Sequence, residues 1–458
     1  MSPMNPVMLF GWPVAALVMF ALMPARRAVM CTFIGGWLFL PMSGYMLPGF
    51  PDYNKVAAAS LSALLGVIVF DAAKLARLRL RWFDLPVLVW CLVPIPSGIM
   101  AGTGAYAGAS AAFYHVIAWG VPYLIGRMYF TDAAGLKDLA LGFFVGGLVY
   151  MPLCLIESVK GPYLHYEVYG FMQHTSLQAW RYGGWRPMVF LQHGLATGFW
   201  MAMAAVAGLW LWRSKAQRRL WGLPMSWLVV PVLVTAVLCR SSGAWALLAF
   251  AGCVYLVTRW TKWRLALAAL IVLIPAYAVT RTTQVISEST VTNAVGLVFP
   301  AERVASLRAR LMQEDTISSH AMQRPLLGWG PWGDFRQGAG YVKAVDSLWL
   351  IAFGKYGMIG LAGLMGTILV PAAVWVRRTR ADRWLDGHAA GGTAGALILT
   401  LYMIDCLSNG MPNPVFMLAA GGLGIAAVTR VLRKRPVTTG HLVYATTTES
   451  QTRPALRT

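Results

Sequence analysis

The residues of this chain able to do chemistry gather in five places. The first is Arg181-Tyr-Gly-Gly-Trp-Arg186-Pro-Met-Val-Phe-Leu-Gln-His193-Gly194, where two arginines and a histidine precede an apolar run. A guanidinium carries a planar fork of donors suited to a phosphate, and Arg beside Trp also suits a headgroup anchor. The second is Arg240-Ser241-Ser242-Gly243, a cation between two apolar runs joined by almost no loop. An ionisable group at that depth faces a cavity or a partner, unless it only marks a tight turn. The third is a polar stretch from Ala301 to Arg324 of helical character, carrying Arg303, Arg310, Glu314 and His320. It reads either as part of a site or as an amphipathic helix lying on a membrane. A turn-rich segment, Pro325-Leu-Leu-Gly328-Trp-Gly330-Pro-Trp-Gly333, follows it.

The fourth place is Asp346-Ser347, with Gly357-Met-Ile-Gly360 beyond it. Asp346 is the best candidate for a proton-accepting carboxylate, with His193 and His320 as rivals. Asp before an apolar run is also a common helix N-cap, and the two glycines suit close helix packing. The fifth is Asp405, Asn409 and Asn413, polar groups among apolar neighbours that need partners. The chain has no Gly-rich nucleotide loop, no HExxH and no GxSxG. Its six cysteines form no CxxC spacing, and most lie inside apolar runs, which suits packing between helices. No cofactor is implied, and metal-independent chemistry is expected.

The elements that must hold these groups are set by composition. Of 458 residues, 58% are hydrophobic and only 12% charged, about half the charged share of a soluble domain. Apolar runs fall near 7–23, 28–48, 56–73, 85–102, 111–130, 138–156, 190–212, 224–239, 243–258, 265–280, 347–376, 388–408 and 412–430. The expected fold is therefore all-α and polytopic, with about 12–13 transmembrane helices at roughly 20 residues each. The first run lacks a basic start and a small-residue cleavage site and reads as a permanent helix. Pro86, Pro94 and Pro96 predict a kinked or broken fourth span.

The net charge of +21 is spread in short clusters between apolar runs: Arg26–Arg27, Lys74/Arg77/Arg79/Arg81, Arg213/Lys215/Arg218/Arg219, Arg259/Lys262/Arg264, Arg377/Arg378/Arg380/Arg383 and Arg430/Arg433/Lys434/Arg435. That is the positive-inside pattern, not the gathered charge of a nucleic-acid binder. Placing every cluster in the cytoplasm puts the C-terminus inside, the N-terminus outside, and two segments, 157–190 and 281–346, on the outer face. Arginines there are not explained by insertion and invite a functional reading. The membrane domain covers 1–435. The Thr-rich tail 436–458 reads as a disordered cytoplasmic end.

Taken together, GVPYLIGRMYF, RPMVFLQHG, RSSGAW, RPLLGWGPWGDF, DSLWLIAFGKYGMIGL and SNGMPNPVF resemble, in order and spacing over residues 120 to 430, the O-antigen ligase and polymerase superfamily. Where ligases carry His, a small polar residue, nine residues and Gly-x-x-Gly, this chain carries Asp346-Ser347, nine residues and Gly357-Met-Ile-Gly360. The Asp form is more similar to Wzy-type polysaccharide polymerases. The resemblance implies a GT-C-like membrane glycosyltransferase in the bacterial inner membrane, with its site facing the periplasm. It would transfer glycan from an undecaprenyl-pyrophosphate carrier to a carrier-linked repeat unit, alongside flippase and chain-length regulator proteins. Under it, Arg186 and Arg240, helped by Arg181, Arg303 and Arg310, bind pyrophosphate, and Asp346, His193 or His320 takes the acceptor proton. Two alternatives are a ligase acting on lipid A core or protein, and a transporter for the lipid-linked glycan, which would show pseudo-symmetric halves.

Overall fold

Where a bilayer excludes water, a backbone can satisfy its own N–H and C=O groups only within a helix or a closed barrel. Each apolar run accordingly becomes helical in the computed structural model, which describes residues 2–47, 50–175, 179–297, 301–336 and 345–429, without the side chains of residues 50, 294, 295, 302, 303 and 306. The 436–458 tail, the basic cluster at Arg430/Arg433/Lys434/Arg435 and the Arg303 side chain lie outside this description.

The first half contains α1 (Met4–Leu22), α2 (Ala25–Met30), α3 (Gly36–Phe39), α4 (Lys55–Ala76), α5 (Leu85–Leu92), α6 (Pro94–Met100), α7 (Ala105–His115), α8 (Val121–Tyr129) and α9 (Ala133–Lys160). The second contains α10 (Leu164–Tyr169), α11 (Gly194–Arg213), α12 (Met225–Leu238), α13 (Ser242–Thr261) and α14 (Leu265–Thr282). It continues with α15 (Glu288–Gly296), α16 (Ala301–Ala321), α17 (Leu348–Arg378), α18 (Ala390–Cys406) and α19 (Pro414–Val428). The chain is thus an all-α polytopic protein. Among the described residues, eight helices are long and apolar enough to cross a membrane, fewer than the expected count. The difference has two sources. The apolar helices α12, α18 and α19 are short, and the stretches 25–39 and 105–129 rewind through π turns at Cys31–Gly35 and Val116–Gly120. The predicted break in the fourth span falls at Val93, between α5 and α6.

Packing follows small residues, as expected where lipid offers no hydrophobic drive between helices. Gly126 of α8 lies against the Leu418 carbonyl of α19, and Gly421 of α19 against that of Tyr123. Helix α11 is almost wholly buried at the centre, against α9, α12, α13 and α18. The end of α9, the starts of α11 and α13, the ends of α12 and α14, the starts of α17 and α19 and the end of α18 share one end of the bundle. The start of α1 joins them, because the Ser2 amide and the Asn5 Nδ2 donate to the Tyr169 carbonyl at 3.0 and 2.8 Å.

Helix α17 is broken at Gly357, whose φ is +63°. A break inside an apolar helix frees backbone groups that need partners. The turn-rich segment supplies them. The amides of Trp329 and Gly330 donate to the carbonyls of Gly354 and Lys355 at 3.0 and 2.9 Å, and those of Met358 and Ile359 donate to Pro325 and Leu326 at 2.7 and 3.3 Å. The hydroxyl of Ser97, in α6, donates to both Leu327 and Lys355 carbonyls, at 2.6 and 2.8 Å. A Cβ at Gly328 (φ +65°) would stand 2.5 Å from the Lys355 carbonyl carbon, and one at Gly357 would overlap Leu326. Gly357→Ala is therefore expected to lose at least about 1–3 kcal/mol to backbone strain alone. A matching fall in detergent unfolding temperature, with faster proteolysis after Leu327, checks it.

Candidate functional site

The 157–190 segment is folded around one carboxylate. Glu157, in the last turn of α9, is fully buried. Its Oε1 accepts from the amides of Tyr163 and Leu164 at 3.0 and 2.9 Å, and its Oε2 from Met188 and Val189 at 2.8 and 2.7 Å. Both ends of the segment are thereby tied to one side chain. The Tyr150 hydroxyl adds an acceptor for the Phe190 amide at 2.8 Å, and the buried Lys55 donates to the Phe190 carbonyl at 3.1 Å. Glu157→Gln places an NH₂ where two amides now donate. Each stranded amide costs about 1–3 kcal/mol, so a clear drop in thermal stability in detergent is expected. An unchanged unfolding temperature would remove Glu157 from this role.

What this scaffold holds is an arginine cluster. A two-stranded hairpin pairs Trp180–Arg181 with Gly184–Trp185 through a turn with positive φ at Tyr182 and Gly183. The Arg186 amide then donates to the Ala179 carbonyl at 2.7 Å. That carries the Arg186 side chain inward, leaving the residue 1% exposed. Its Nη2 donates to the Ser241 hydroxyl at 3.1 Å. Its Nε and Nη1 are buried with no hydrogen-bond partner among the described residues. Gly194 leaves room for its stem, since a Cβ there would meet Arg186 Cδ at 2.7 Å. Arg240 occupies the tight turn between α12 and α13 with φ +49°. Its Nη1 donates to the Trp185 carbonyl at 2.8 Å. Arg240 thus stands in the expected tight turn, with its guanidinium folded back on the hairpin.

His193 begins α11. Its Nδ1 accepts from the Leu195 amide at 3.0 Å, which places the ring proton of the neutral form on Nε2. The His174 ring stands edge-on to it at 4.5 Å. Burial, then the charges of Arg186, His174 and Arg181, lower the His193 pKa to about 3. Burial and the adjacent Arg181 lower Arg186 to about 10. At neutral pH the cluster therefore holds cationic arginines and a neutral histidine. A histidine in this state is a hydrogen-bond donor, which weakens its candidacy as the base. Among the described residues no carboxylate forms an ion pair with Arg181, Arg186 or Arg240.

A second group is built by α16, α17 and the turn after α18. Asp346 is exposed and precedes α17. It is not the cap, since Ser347 holds the N-cap position and no side chain caps there. Its backbone carbonyl lies against Gly410, and the Leu348 amide donates to the Asn409 carbonyl at 3.3 Å. Asn409 Nδ2 donates to Asp405 Oδ1 at 2.7 Å, and Asn413 caps α19 by accepting from the Val415 amide at 2.9 Å. Arg310 is exposed on α16, close enough to Asp405 for their charges to interact. The His320 ring stacks on Trp329 at 4.3 Å, with Arg324 over the same indole at 4.5 Å. His320 is therefore packed into the segment that clasps α17, and its Nε2 is buried without a partner among the described residues.

Several arginines of the 281–346 segment are held in ion pairs. Arg281 bonds Glu314 and Asp315 at 3.1 and 2.7 Å and fastens α16 to α14. Arg308 pairs with Glu288, and Arg336 with Asp334. Charge at these positions is already answered by a carboxylate, which Arg186 lacks among the described residues. Sequence reading alone missed Glu157, whose only signal is a lone carboxylate at the end of an apolar run, and His174. No known protein-family profile matches the chain, and no curated protein is significantly similar to it.

Proposed function

We propose that this chain is a polymerase of bacterial surface polysaccharide or exopolysaccharide, working at the periplasmic face of the inner membrane. Its donor is a glycan on undecaprenyl pyrophosphate, and its acceptor a hydroxyl of a carrier-linked repeat unit. One observation carries the reading. Arg186 is buried with two guanidinium nitrogens unanswered and no carboxylate paired to it among the described residues, beside Arg181 and Arg240. A buried charge without a partner is expensive, so an arrangement that keeps one is suited to an anion that arrives as substrate. A pyrophosphate meets that need. Negative charge develops on it as the bond to the anomeric carbon breaks, and fixed donors stabilise that charge. The neutral His193 adds a polar group beside the arginines. The acceptor oxygen attacks the anomeric carbon, its proton passes to the Asp346 carboxylate, and carrier pyrophosphate leaves.

Purified protein incubated with carrier-linked repeat units alone is the direct test. Growth of glycan chains without nucleotide supports a polymerase, whereas movement of the lipid across vesicles without new bonds supports a transporter. The orientation is tested separately. Reporter fusions after Pro325 and after Arg435 are expected to report opposite sides of the membrane, because each dense basic cluster then faces the cytoplasm. Matching sides would overturn it.

A further inference from the structure

At the other end of the bundle lies a cavity of about 280 Å³, lined by Lys74, Arg77, Arg79, Arg81, Arg127 and Ile425 among others. Helix α19 fixes its place. Asn413 caps that helix beside the second group of site residues, and Ile425 is roughly 18 Å further along at about 1.5 Å per residue. The cavity is therefore remote from Arg186.

Its charge is uneven. Lys74 pairs with Asp71 at 2.7 Å, and Arg127 pairs with Asp84. Arg77, Arg79 and Arg81 are exposed and have no ion pair among the described residues. Insertion rules explain positive charge on such a loop, but not a concave wall around it. Nor do they explain the floor. Arg127 is 5% exposed, its Nη2 donates to the Arg79 carbonyl at 3.0 Å, and its Nε is buried with no partner among the described residues.

The chain above this floor, Arg77-Leu-Arg-Leu-Arg-Trp82, alternates cation with apolar residue just past the end of α4. Along an extended run successive side chains turn to opposite faces; of the three apolar residues here Leu78 lines the cavity, whereas Leu80 and Trp82 do not. Leu80 and Trp82 are 55% and 60% exposed, and tryptophan favours the headgroup level of a bilayer. One face thus suits phosphate while the other suits the acyl boundary.

We propose that this cavity binds the headgroup of an anionic phospholipid, with Arg77, Arg79 and Arg81 on its phosphate and Arg127 at the base. Basic pockets between helices recognise such headgroups. Three uncompensated guanidiniums favour a lipid with two phosphates over one with a single phosphate. The site is independent of the polymerase reading.

The test uses full-length protein in neutral detergent, with lipid binding followed by native mass spectrometry. Cardiolipin is expected to bind more tightly than phosphatidylglycerol, and phosphatidylcholine to bind far more weakly. The triple variant R77Q/R79Q/R81Q is expected to weaken cardiolipin binding roughly 100-fold, at about two-thirds of a decade per arginine. These side chains are exposed, so its unfolding temperature without lipid should match the parent. The control K215Q/R218Q/R219Q removes the same charge from another exposed loop and should bind normally. Equal loss in both variants, or equal binding of phosphatidylcholine, overturns the proposal. Complete displacement of cardiolipin by inorganic phosphate at matched phosphate concentration also overturns it, in favour of a soluble anion.

Discussion

Arg186→Lys is expected to cut chain growth on carrier-linked repeat units by about 10²–10³-fold, the loss typical of removing a fixed donor to developing charge. Lysine keeps the charge but offers a point ammonium, not the planar fork that can hold two oxygens at once. The accompanying stability change has the opposite sign. In the free protein Arg186 is a buried cation that, among the described residues, only the Ser241 hydroxyl answers. Burying such a charge opposes folding, so Arg186→Met is expected to be inactive and yet to unfold at the same or a higher temperature. The pair of measurements separates an anion ligand from a structural arginine. Arg281 is the internal comparison: it is bonded to Glu314 and Asp315, and its loss is expected to lower stability. If Arg186→Met unfolds early, or if Arg186→Lys keeps full activity, the assignment of Arg186 fails.

Asp346→Asn is expected to lower polymerisation by about 10²–10⁴-fold, the usual contribution of a general base, while the protein keeps its membrane level and unfolding temperature. The structure sharpens this expectation. A capping aspartate would make Asn a near-equivalent and Ala a loss of about 0.5–2 kcal/mol. Ser347, not Asp346, occupies the N-cap position of α17, and Asp346 is exposed. Removing its carboxylate should therefore cost little stability. His193 is the weaker rival, because its Nδ1 is committed to the Leu195 amide and its pKa is depressed by burial and by Arg186. Near-normal chain growth by Asp346→Asn would return the role of base to His320.

The sequence by itself determined that the chain is a bundle of apolar helices, because hydropathy and the need to satisfy backbone groups in lipid act locally along the chain. It also located the break in the 85–102 span, because its prolines cannot continue a helical ladder, whereas Gly357 read as a packing glycine and its break became visible only in the fold. The residues around Arg186, His193 and Arg240 were legible as well. A cation that interrupts or borders an apolar run is conspicuous without any knowledge of its neighbours.

What the sequence left open was which charges are already answered. Arg281 and Arg186 look alike in a string of letters. Only packing shows that Arg281 meets Glu314, 33 residues away, while Arg186 meets a hydroxyl 55 residues away and, among the described residues, no carboxylate. The role of Glu157 was hidden for the same reason, as its four donors come from two stretches of chain separated by more than 20 residues. The clasp of Pro325–Gly330 on the broken α17 likewise depends on two distant segments meeting. Local sequence fixes what each segment can be, whereas pairing between remote donors and acceptors is a property of the folded arrangement.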